Sequence, residues 1–154
     1  MARQPSLPVD VGELIPHRVP MRMITRLLDC DEHDVGTVEA VISDDNPLLN
    51  ADGSLAEVAL GEILAQAFAA KQGYSDLKND LSAERGFLVG IRSLTFHARA
   101  FRGDRLQILV RLLMQMENFY LVSGEIYRHD EKLAEGEMKV WVPELINSST
   151  EGDR

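Results

Sequence analysis

Between residues 105 and 117 apolar and polar side chains alternate. Leu106, Ile108, Val110, Leu112, Met114 and Met116 fall on one face. Arg105, Gln107, Arg111, Gln115 and Glu117 fall on the other, with Leu109 and Leu113 among them. A period of two held this long predicts a half-buried strand, with Met114 and Met116 in the core. Residues 119–128 and 133–142 continue the pattern, and the residues between them, His129-Asp130-Glu131-Lys132, suit a short hairpin loop. Residues 87–99 read as a strand that is apolar first and amphipathic later. Upstream, residues 21–30 and 35–42 predict another hairpin, turned around 31–34.

One segment breaks the period of two. Residues 58–70, VALGEILAQAFAA, carry only Glu62 and Gln66 as polar side chains. A helix that is apolar nearly all round is a buried helix. Ala51-Asp52-Gly53 marks a turn before it, and Ser54-Leu55-Ala56-Glu57 fits a capping box. The pattern predicts a helix from there to about residues 70–72, stopped by Gly73. Residues 74–85 read as a loop with a helical turn.

The predicted order is a short N-terminal turn or helix, two strands, one buried helix and four long strands. That is an α+β chain with an antiparallel sheet. A flat sheet cannot cover a helix on every side, so the sheet wraps around it or a second subunit completes the cover. Residues 1–10 read as an arm, 11–143 as one domain and 144–154 as a polar tail.

Composition narrows the classes. The 154 residues suit one domain, and 45% are hydrophobic, too many for a disordered chain. Cys30 is the only cysteine, which excludes an intrachain disulfide framework. No long apolar run predicts a membrane span, and the first residues lack the apolar core of a secretory signal. A net charge of −9 argues against binding to nucleic acid. The expectation is a soluble cytoplasmic protein without membrane attachment.

Candidate chemistry centres on the helix. Glu62 and Gln66 are four apart and share a face. A carboxylate among apolar neighbours is costly unless bonded or paired, which marks Glu62 as a candidate catalytic group. Gln66 would orient Glu62 or a water, or else is a satisfied amide of the helix core. Gly90, inside a strand, marks either a place where a substrate arm passes or a bulge. His33 and His129 fall in turns, and His97 falls at the polar end of a strand. No histidine pair has metal-ligand spacing. Cys30 stands among Asp29, Asp31 and Glu32, the wrong surroundings for a reactive thiol. Arg99, Arg102 and Arg105 form either a local basic patch for an acidic partner or a solvated turn.

Four motifs, in order, resemble one family. Leu14-Ile15-Pro16-His17-Arg18-Val19-Pro20-Met21, then Thr25-Arg26-Leu27-Leu28, resembles the opening of the 3-hydroxyacyl-acyl-carrier-protein dehydratases of the hotdog fold. Glu62-Ile63-Leu64-Ala65-Gln66-Ala67 resembles their central helix. Phe87-Leu88-Val89-Gly90-Ile91 and Gly103-Asp104-Arg105-Leu106 resemble the third strand and the turn after it. The resemblance implies a sheet wrapped around one helix, dimeric or higher. It implies loss of water from a 3-hydroxyacyl thioester, on acyl carrier protein or coenzyme A, without a cofactor. It places the helix carboxylate at Glu62 and carbonyl-polarising amides near the helix start. The family's usual histidine, about fourteen residues before that carboxylate, falls on Leu48 here, and no histidine lies between His33 and His97. The chain looks closer to a divergent branch, the predicted dehydratases found with aryl polyene-type clusters. His17 is then either a structural residue of its loop or the best remaining base. Three readings follow: a dehydratase using Glu62 and His17, an acyl-binding or partner subunit for a second hotdog chain, or a hotdog thioesterase.

Overall fold

The computed structural model describes residues 6–31, 33, 35–78 and 87–142, with the side chains of residues 87 and 88 left aside. The polar tail expected over 144–154 lies outside the described residues. Two-residue β1 (Val9–Asp10) precedes a 3-10 turn (Val11–Glu13), so the end of the expected arm is part of the sheet. Strands β2 (Arg26–Cys30) and β3 (Val35–Val41) form the first hairpin. Helix α1 (Glu57–Lys78) follows, then β4 (Phe87–Phe96), β5 (Arg105–Met116), β6 (Phe119–Arg128) and β7 (Glu131–Trp141). All pairings are antiparallel, in the order β1-β2-β3-β5-β6-β7-β4. The α+β expectation, one helix under a curved antiparallel sheet, is what the chain adopts.

The core lies between α1 and the concave face of the sheet. Ala59, Leu60, Ile63, Leu64 and Ala67 of the helix are buried against Val38, Ile108, Val122, Ile126 and Met138 of the strands. Each such large aliphatic contributes roughly 1.5–3 kcal/mol by leaving water. At the middle of the helix Phe68 meets Tyr120 of β6, ring centroids 6.2 Å apart.

The helix boundaries differ from the sequence expectation, for identifiable reasons. Ser54 pairs as a bridge with Phe101, and the Leu55 N–H donates to the Ala100 carbonyl. Those residues are extended, so α1 begins at Glu57. The Ser54 hydroxyl donates to Asp52 Oδ1 at 2.6 Å and takes a bond from Asn50 Nδ2, closing the loop rather than capping the helix. At the other end α1 runs through Gly73 to Lys78. A β-carbon at Gly73 would stand 2.3 Å from the Leu14 carbonyl oxygen. The glycine lets the N-terminal loop lie on the helix backbone; it does not end the helix.

The expected core position of Met114 and Met116 is also overturned. The β5–β6 register shifts between Leu112 and Met114. A bulge of one residue exchanges the faces of everything beyond it. Met114 and Met116 pair with Leu121 and Phe119 and are 54% and 65% exposed, on the face turned away from the helix.

Candidate active site

The N-terminal loop and the middle of α1 bring His17, Glu62 and Gln66 together. Gln66 is 1% exposed and joins the two segments. Its Oε1 accepts the Met23 N–H at 2.8 Å, and its Nε2 donates to the Met21 carbonyl at 2.9 Å. The same Nε2 donates to Glu62 Oε1 at 2.7 Å. One amide therefore fixes the loop to the helix and fixes the carboxylate one turn away. Arg18 shapes the loop from the other side: its Nη1 donates to the carbonyls of Ile15 and His17 at 2.9 Å each.

His17 Nε2 stands 3.8 Å from Glu62 Oε1, just beyond direct hydrogen-bond length. The side chains are 35% and 37% exposed, so the pair opens on the surface of the single chain. Glu62 is thus less enclosed than the apolar helix suggested. His17 Nδ1, by contrast, is buried and has no hydrogen-bond partner. Around the pair Val19, Met21 and Val58 are exposed. Val58 precedes Glu62 by four residues, so its place on the same helix face was readable from spacing. The part played by the Met21 and Met23 backbone was not, since those bonds join positions over forty residues apart.

The position of the usual family histidine is filled by apolar packing. Leu48 is half-buried against the core, and its carbonyl accepts the Ala56 N–H at 2.9 Å.

The other candidates do not join this site. Gly90 sits at a register shift on β4, between Leu88 and Gly90. It borders a groove of about 400 Å³ with Met114, Met116, Phe119, Leu121 and Lys139, on the sheet face opposite the helix. His97 Nε2 lies 3.2 Å from Glu135. Lys132, and after it His97, hold the Glu135 carboxyl below its usual range. His129 takes a left-handed turn conformation. Cys30 forms no disulfide. The arginine cluster is largely matched by carboxylates: Arg105 bonds Glu39 at 3.1 Å, and Arg102 lies 3.5 Å from Asp44. Among the described residues no group of His, Cys, Asp and Glu could hold a metal, and no helix is long and apolar enough to cross a membrane.

Residues 9–151 match the model of the ApeP-like dehydratases. The chain belongs to that family. It is 27% identical over 138 residues to an uncharacterised thioester dehydrase of Halalkalibacterium halodurans, covering 86% of this chain and 87% of that one. It is 26% identical over 128 residues to the 3-hydroxyacyl-[acyl-carrier-protein] dehydratase FabZ of Oleidesulfovibrio alaskensis, covering 81% and 83%. Among solved structures, a chain of the dehydratase heterocomplex ApeI:P from Xenorhabdus doucetiae superposes with a TM-score of 0.81 at 24% identity, over 95% of this chain and 99% of that one. The PaaI protein of E. coli gives 0.57 at 19% identity, over 75% and 80%. At these identities the structural likeness establishes the hotdog fold and nothing more specific.

Proposed function

We propose that this chain dehydrates 3-hydroxyacyl thioesters to trans-2-enoyl thioesters, with Glu62 and His17 meeting the substrate and Gln66 positioning Glu62. The observation that carries the reading is the approach of His17 to Glu62 within one chain. β-Elimination needs a group to take the α-proton and a proton for the departing hydroxyl, both within hydrogen-bond reach or one water. The family's upstream histidine is absent, yet an imidazole still stands beside the helix carboxylate. Backbone N–H groups at the start of α1 supply a positive end suited to a developing enolate oxygen. Gln66, buried with its amide engaged, acts on the substrate only through Glu62. The substrate class is an acyl chain on acyl carrier protein or coenzyme A. A cytoplasmic location is part of the same proposal.

A second hotdog subunit, identical or related, is proposed to complete the site. Strand β4 is a ten-residue outer edge with Val89 and Ile91 exposed, and such an edge invites pairing. Leu48 in place of a histidine supports a related partner that brings its own, as does the heterocomplex to which the Xenorhabdus neighbour belongs.

The test is reversible hydration of a 2-enoyl thioester by purified protein, alone and with a co-expressed second subunit. Product is followed by mass. Turnover by the chain alone, lost in Glu62→Gln, supports an independent dehydratase. Turnover only in the mixture supports a partner role. Release of thiol would mark a thioesterase instead.

A further inference from the structure

We propose that His17 serves as a fixed Nε2–H donor, and that the Glu62 carboxylate by itself takes the α-proton and returns it to the leaving hydroxyl. The proposal rests on the dehydratase reading above and assigns its proton path.

A neutral imidazole has one N–H and one lone pair. Which nitrogen carries the proton is set by what each one faces. His17 Nδ1 is buried without a partner. The carbonyls of Ile15 and His17 take bonds from Arg18, and neither is a partner of Nδ1. A proton on Nδ1 would be an orphaned buried donor, a rarer and costlier state than an idle acceptor. Nε2 instead faces a carboxylate oxygen, which can only accept when ionised. The proton therefore belongs on Nε2.

Neither nitrogen is then a usable base. Nε2 carries its proton, and the lone pair on Nδ1 is sealed from solvent. The group left to take a proton from substrate is Glu62. Its Oε1 receives Gln66 Nε2 and faces His17, so Oε2 is the oxygen turned over to the substrate.

The steps balance on one carboxylate. Oε2 takes the proton from Cα, and the C–H electron pair moves into the thioester to give an enolate. The enolate pair then forms the Cα=Cβ bond as the Cβ–O bond breaks. The proton on Oε2 passes to the departing oxygen, which leaves as water, and Glu62 is again a carboxylate. The His17 Nε2–H hydrogen-bonds the departing oxygen and keeps its own proton throughout.

The experiment has two arms on the full chain. Long-range proton–nitrogen NMR on ¹⁵N-histidine protein at neutral pH reads the tautomer, with His17 assigned by its loss in His17→Gln. The expected result is the Nε2–H pattern. An Nδ1–H or imidazolium pattern overturns the proposal whatever the activity. In the hydration assay His17→Gln places an amide N–H near the Nε2 position but offers no base. It is expected to stay within about tenfold of wild type, while His17→Ala falls about a hundredfold or more, the usual cost of losing one aimed donor. Equal loss in both variants, with melting curves showing both folded, also overturns it. Absence of wild-type turnover both alone and with the co-expressed second subunit sinks the dehydratase reading and the proton path with it, and the NMR arm still reports the tautomer on its own.

Discussion

The Leu14 carbonyl oxygen occupies the place where a β-carbon on Gly73 would stand, 2.3 Å away. The same loop carries His17 to Glu62. Gly73→Ala raises helix propensity by about 1 kcal/mol. A contact that short against backbone cannot be relieved by a rotamer change, so the loop must move, at a typical overpacking cost of about 1–3 kcal/mol. The variant is expected to melt lower and to lose turnover further than its stability loss explains, because His17 moves away from Glu62. Thermal melting alongside the hydration assay checks this; an unchanged melting temperature would contradict it.

Gln66→Leu removes a buried amide while keeping the side chain apolar and of similar size. It leaves the Met23 N–H and the Met21 carbonyl without their partner. Each buried polar group left unsatisfied costs about 1–3 kcal/mol. At roughly 2–4 °C per kcal/mol for a chain near this size, a fall of several degrees is expected. Turnover should fall as well, since Glu62 Oε1 loses its 2.7 Å donor.

Leu64 is fully buried and packs under Gly124, where a β-carbon would stand 2.5 Å from Leu64 Cδ2. Leu64→Ala is expected to cost about 2–5 kcal/mol, as other buried leucines do. Met116→Glu is expected to cost almost nothing, within about 0.5 kcal/mol, because the bulge before Met114 places it on the outer face. Denaturant midpoints of the two variants test the register directly. A large loss in Met116→Glu would mean that the bulge is wrong.

Hydrogen bonds from the Ser54 hydroxyl and backbone N–H hold the Asp52 carboxyl below its ordinary range. A carboxyl lowered by folding contributes stability above its unfolded value and loses it as pH falls through its folded value. The loop before α1 is therefore expected to hold at neutral pH and loosen in acid below the ordinary carboxylate range. In Asp52→Asn the acid-dependent part should disappear. Amide exchange at Ser54 and Leu55 across an acid titration measures it.

Much of this protein was legible in its sequence. The period of two and the one apolar helix specified an α+β chain with a wrapped antiparallel sheet, because side-chain periodicity is a local property of helix and strand. Glu62 and Gln66 were legible for the same reason, as the only polar residues of residues 58–70. What failed was local in appearance but tertiary in cause. Ser54 looked like a cap and is extended, because residues 100 and 101 pair with it and its neighbour. Gly73 looked like a stop and is a contact surface for Leu14. Met114 and Met116 looked like core, and one bulged residue turned them outward. The approach of His17 to Glu62 belongs to the same class. The forty-four residues between them carry no periodic signal for it, and the loop is held there by the buried Gln66 amide, which bonds the Met23 N–H and the Met21 carbonyl.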